Sequence, residues 1–123
     1  MAVQPQNKGI KIAILWLPVV FWMGVIFYAS STPGTDIPSL FPYQDILFHS
    51  MVYAALAFFL KRALKNSYQD LTARKAMALT VAVCILYGIS DELHQLLVPH
   101  RIASFFDVGI DSIGSFMGSL LYR

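Results

Sequence analysis

The chain has 123 residues, 57% of them hydrophobic and 13% charged, with a net charge of +2 and a mean hydropathy of +0.60. A soluble domain carries about 25% charged residues, so this composition excludes an ordinary water-facing surface, and so small a net charge does not argue for nucleic acid. The length allows one domain, and the lone Cys84, inside an apolar run, excludes an intrachain disulfide and reads as a small packing residue.

Four apolar runs follow one another. The first, Ile12 to Ala29, carries no charge and contains Pro18, a potential kink. It is long for a signal-peptide h-region, and Phe27-Tyr28-Ala29 lacks a small residue at the −3 position, so an uncleaved helix is expected. Ser30-Ser31-Thr32-Pro33-Gly34 follows, with hydroxyls at a helix end and a Pro-Gly turn. It reads as helix termination or as a lid. The second run, Ile46 to about Leu64, is interrupted by His49, Lys61 and Arg62. The third, Ala76 to Val98, carries Asp91, Glu92, His94 and Gln95 in its second half, and Pro99 is expected to end it. The fourth, Ile102 to Tyr122, carries Asp107 and Asp111. Each run approaches the ~20 residues a helix needs to cross a bilayer, and a backbone in lipid must satisfy its own hydrogen bonds. The expected fold class is therefore all-α, an integral membrane four-helix bundle, with a short segment 1–11 before a single transmembrane domain, 12–122.

Charge sets the orientation. Lys8, Lys11, Lys61, Arg62, Lys65, Arg74, Lys75 and Arg123 fall at one end of such a bundle, and only Arg101 falls at the other. The positive-inside rule then predicts that both termini, and segment 1–11, are cytoplasmic. Acidic residues show the opposite bias. Asp36, Asp45, Asp91, Glu92, Asp107 and Asp111, with all three histidines, fall toward the outer end. Ionisable groups inside a membrane cost a few kcal/mol each, so carboxylates in spanning segments need a reason to be there.

Helical spacing shows how they meet. Asp45 and His49 are four apart, hence on one face. Gly88, Glu92 and Gln95 form one stripe of the third helix, and Tyr87, Asp91 and His94 the adjoining stripe. Ser104, Asp107, Asp111 and Gly114 or Ser115 share a face of the fourth. Turned inward, these faces enclose an outward-facing polar cleft with Asp111 as its floor, roughly 13 Å below Ile102. Gly114 and Gly118 make a small-xxx-small pair that admits another helix below the cleft. Arg101 either pairs with Glu92 or Asp107 or holds an anionic head group. Phe41, Tyr43, Phe105 and Phe106 read as an aromatic belt.

The set Tyr87-Gly88, Glu92, Gln95, Pro99, Arg101, Ser104, Asp107, Asp111, Gly114 and Gly118 resembles the signature of the VanZ-like membrane proteins. The pattern there is Y-G-x-x-x-E-x-x-Q, then P-x-R, S-x-x-D, and an acid or amide before G-x-x-x-G. Ser30 to Gly34 and Asp45-x-x-x-His49-x-x-x-Tyr53 resemble that family's first loop and second helix. The likeness covers about residues 28 to 120. His100 departs from it, standing where the family usually carries glycine, and Ile46 stands where lysine is common. The resemblance implies a multi-pass protein of the bacterial cytoplasmic (inner) membrane with an envelope role. The family's namesake confers low-level resistance to the lipoglycopeptide teicoplanin, so the resemblance also raises a link to antibiotic resistance.

Three function classes follow. An enzyme acting on an envelope lipid or lipid-linked molecule would use Glu92 or Asp107 as general acid or base, with His49 assisting. Arg101, Gln95, Asp45, Asp111 and Ser104 would bind the substrate. Ser104 is a weak candidate nucleophile, since G-x-S-x-G is absent. A non-catalytic binder would capture a membrane lipid, a lipid-linked envelope precursor or a lipoglycopeptide. A conductor would use the intramembrane carboxylates, but the inner helix halves have no polar continuation. A purely structural polar network is the remaining reading. His49, Glu92, His94, Asp107 and Asp111 are potential metal ligands, yet the chain has no H-E-x-x-H or other recognised spacing. Neither a metal nor another cofactor is expected.

Overall fold

The computed structural model describes residues 8–101 and 104–122. Residues 1–7 of the predicted N-terminal segment, Ile102 at the head of the fourth run, Ala103 and Arg123 lie outside them. All regular structure among the described residues is helical: α1 (Lys8–Ser31), α2 (Gln44–Ser67), α3 (Ala73–Gln95) and α4 (Phe105–Leu121), with a 3-10 turn at Gly34–Asp36.

The helices form an up-down bundle, and cross-helix bonds near either end fit this topology. Trp16 Nε1 in the first half of α1 donates to Ser67 Oγ at the end of α2, at 2.9 Å. Lys61 Nζ, late in α2, donates to the carbonyls of Ser119 and Tyr122 at the end of α4, both at 2.7 Å. At the opposite end, Ser31 Oγ lies 2.8 Å from His94 Nε2. The Ser104 N–H donates to Glu92 Oε2 at 2.8 Å.

The pattern of burial is that of a protein in lipid. Ser30, Gln44, Lys61, Thr80, Asp91, Glu92, Gln95, Asp111, Ser115 and Ser119 are buried, while Leu79, Leu86, Leu93, Ile113, Phe116 and Leu120 are exposed. Leu15, Val19, Ile26, Leu56 and Leu60 fill the interior beside these polar groups, and an apolar exterior over a partly polar interior suits a hydrocarbon solvent, where only protein can satisfy a polar group. α1, α2 and α3 are each long and apolar enough to cross a membrane. α4 has 17 residues and measures about 26 Å at 1.5 Å per residue. It runs from the Glu92 end of the bundle to the Lys61 end.

Three helices differ in their boundaries from the hydropathy reading. α1 and α2 run past the apolar segments at both ends, because a helix continues into a polar interface that hydropathy does not mark. α3 stops at Gln95, before Pro99. The Leu97 N–H turns to the His94 carbonyl and the Val98 N–H to the Gln95 carbonyl, at 3.0 and 3.1 Å, tightening the last turn. The chain then reverses through His100, whose φ of 60° is left-handed. Glycine adopts that backbone without strain, which gives a physical reason for glycine at this position in the family that the sequence resembles.

α4 packs closely on α2. A Cβ built on Gly114 would lie 2.5 Å from the Ser50 carbonyl oxygen, and one on Gly118 would collide with the Ala54 carbonyl. The small-xxx-small pair therefore meets a second small pair, Ser50 and Ala54, on α2.

Candidate functional site

The polar residues gather where the start of α2 and the end of α3 meet the start of α4. Tyr43, held at φ 62°, flanks the start of α2, and Gln44, its first residue, ties the preceding loop to it. Gln44 Oε1 accepts from the Leu40 N–H at 2.6 Å and its Nε2 donates to the Pro38 carbonyl at 2.7 Å. This holds residues 36–41 as an outer wall. One turn on, His49 Nδ1 lies 3.0 Å from Asp111 Oδ1, and Asp111 is fully buried. Asp111 fits there because Gly88 on α3 has no side chain: a Cβ at Gly88 would be 3.1 Å from Asp111 Oδ2.

Above this pair lie two chambers. A polar one of about 440 Å³ is lined by Asp45, His49, Gln95, His100, Arg101 and Asp107, among others. A second, of about 410 Å³, runs toward α1 and is lined by Val25, Ile26, Ala29, Leu40, Phe48 and Val52, among others. The two share Ile37, Gln44, Asp45, His49, Gln95 and Arg101. Both volumes fall within the roughly 300–1,000 Å³ of small-molecule pockets.

The residues singled out from sequence separate into two groups. Asp45, His49, Gln95, Arg101 and Asp107 line the polar chamber. Glu92, Asp111 and Ser104 are not among the residues lining either chamber. Glu92 holds the N-terminus of α4 through the Ser104 N–H. Ser104 caps that helix, its Oγ accepting from the Phe106 N–H at 3.1 Å. Arg101 makes neither of the ion pairs considered for it among the described residues; it donates to the Ala29 carbonyl at 3.4 Å. His94 turns to α1, bonding Ser31 and stacking on Phe27 with ring centroids 4.7 Å apart.

The first loop serves as both helix terminator and wall. Ser31 Oγ and Thr32 Oγ1 donate to the Phe27 and Tyr28 carbonyls, and Asp36 and Ile37 line the second chamber. The sequence puts Asp91 on a stripe facing the cleft but gives Asp91, Gln44 and Tyr53 no binding or catalytic role. Asp91 and Tyr53 line the second chamber and Gln44 lines both. The Asp45-His49-Tyr53 spacing carried the signal for Tyr53.

Although no ligand spacing is present in any one helix, one potential ligand atom each from His49, Glu92 and Asp111 lies within 4.8 Å of the other two.

The chain matches the family profile described as VanZ/LLP1 over residues 15–123. It belongs to that family. Searches of curated proteins and of solved structures found no match. The VanZ/LLP1 match takes in α1 from residue 15, all of α2, α3 and α4, and every residue of both chambers.

Proposed function

We propose that this VanZ/LLP1 protein binds, and acts on, a membrane-derived amphiphile with an anionic head group. The observation that carries this reading is the wall shared by the two chambers. A molecule with one polar and one apolar end fills both at once, its head group among His49, Gln95, His100 and Arg101 and its tail along Val25, Ile26 and Val52. Arg101 supports an anionic head group: a guanidinium carries five N–H donors, and the Ala29 carbonyl takes only one. Of the three acid–base residues predicted from sequence, His49 and Asp107 reach the chamber, and proton transfer to a bound head group falls to them. An envelope lipid and a lipid-linked envelope precursor share this chemistry, as does a lipoglycopeptide with its acyl tail.

The test is titration of detergent-solubilised protein with phosphatidylglycerol and phosphatidylcholine, read by native mass spectrometry. The expected result is preferential binding of the anionic lipid, weakened about 10- to 100-fold by Arg101→Ala. This corresponds to loss of a charged hydrogen bond of about 1.5–3 kcal/mol. Equal affinity for both lipids in the wild type would sink the reading, and so would an Arg101→Ala loss shared equally by the two.

The same reading places the cleft on the outer face of a bacterial cytoplasmic membrane, on the distribution of cations. A membrane-impermeant maleimide added to intact cells is expected to label Ser39→Cys and spare Asn66→Cys. Both positions are exposed, and the buried Cys84 does not compete. The reverse labelling pattern rejects the orientation.

A further inference from the structure

We propose that His49, Glu92 and Asp111 hold a divalent metal cation between α2, α3 and α4, beneath the polar chamber. The donors come from three different helices, and one ligand atom from each lies within 4.8 Å of the other two. Ligands of one ion at about 2.1 Å from it stand about 3 to 4 Å apart, so the widest pair in the cluster needs to close by at most about 1–2 Å. His49 Nδ1 and Asp111 Oδ1, at 3.0 Å, already have that separation.

Two independent observations point to a ligand. Glu92 is 6% exposed and Asp111 0%, yet Glu92 Oε1 and Asp111 Oδ2 have no hydrogen-bond partner among the described residues. Buried oxygens left this way cost about 1–3 kcal/mol each, and more when charged. The charge count agrees. The one ion pair among the described residues is His49–Asp111 itself, so two ionised carboxylates here face at most one positive charge. A proton shared between the carboxylates satisfies one pair of oxygens. A divalent ion engages all three donors and balances both charges. One imidazole and two carboxylates suit zinc, manganese or iron rather than a soft-metal site. Three protein ligands leave at least one position for water or a head-group oxygen. Sequence spacing argued against a metal because ligand motifs are read along one helix, whereas this set is assembled across three.

The inference goes beyond head-group binding and does not require it. With the ion bound, His49 serves as a ligand, and acid–base work in the chamber falls to Asp107.

The experiment uses Co²⁺ as the probe. The purified full-length protein is treated with EDTA, desalted and titrated with CoCl₂, and the visible d–d absorption is followed. The expected result is saturation at one Co²⁺ per chain. His49→Ala, Glu92→Gln and Asp111→Asn are each expected to weaken it by about 100-fold or more, above the 10- to 100-fold cost of losing an outer-shell partner. Glu92→Gln and Asp111→Asn keep side-chain volume, and an unchanged elution profile shows that they fold. Asp107→Asn and Arg101→Ala are expected to leave Co²⁺ affinity within about twofold, whatever they do to lipid binding, so the metal and lipid readings fail separately. Absence of stoichiometric Co²⁺ uptake by the wild type overturns the proposal, as does uptake that survives all three ligand substitutions.

Discussion

Gly118→Ala is expected to destabilise the bundle by about 3 kcal/mol, at the upper end of the cost of overpacking, whereas Gly24→Ala stabilises it by up to about 1 kcal/mol through helix propensity. The chemical change is the same, and the sign is set by what the new methyl meets. At Gly24 nothing lies within 4 Å; at Gly118 the nearest atoms are the backbone of Ala54 on α2. A side chain in the way can rotate aside, but a backbone cannot, so the two helices must move apart. Their separation also draws His49, next to Ser50, away from Asp111, one turn before Gly114–Ser115. Loss of lipid or metal binding would therefore accompany the loss of stability. Thermal unfolding in detergent, monitored by near-ultraviolet circular dichroism, compares the two variants. Equal transition temperatures would show that α2 and α4 do not approach as closely as described.

That contact was legible in the sequence as far as its helix face, since Gly114 and Gly118 are four residues apart and line one side of α4. Its partner was not. Ser50 and Ala54 carry no distinguishing chemistry, and only the order of helices around the bundle brings them opposite the glycines. The same limit explains the site. Asp45, His49 and Tyr53 could be placed on one face from their spacing, as could Glu92 with Gln95 and Asp107 with Asp111. Spacing fixes which residues share a face but not which neighbour that face meets. His94 lies on the stripe beside Glu92, and spacing alone groups it with the cleft. The stripe faces α1, so His94 bonds Ser31 instead. Charge in a membrane demands a polar setting, and from the sequence the cleft is the setting available to Glu92 and Asp111. The setting they occupy is the junction of three helices below it. Ser104 looked like a substrate residue, but a serine just before an acidic first turn also fits a helix cap, and the structure uses it so.

Lysine 61 gives the second large effect. By hydropathy and the positive-inside rule it is one of several interchangeable cations near the end of α2, equivalent to Lys65 one turn later. In the structure the two differ. Lys61 is 6% exposed, and its ammonium donates to the carbonyls of Ser119 and Tyr122. Ser119 lies in the last turn of α4 and Tyr122 caps it, where backbone acceptors lack intrahelical partners and the helix dipole favours a cation. Lys61→Met keeps an unbranched stem of similar length but removes both bonds and the charge. The expected loss is about 3 kcal/mol, from two charged hydrogen bonds and a partly buried dipole interaction, discounted for relaxation of the chain end. Lys65→Met removes the same formal charge and is expected to change stability by under about 0.5 kcal/mol. Amide hydrogen exchange localises the effect: Lys61→Met should speed exchange across residues 115–122 while leaving the start of α4, held by Glu92, protected. If both lysine variants behave alike, Lys61 acts only as a topological charge and the end of α4 is secured by packing alone.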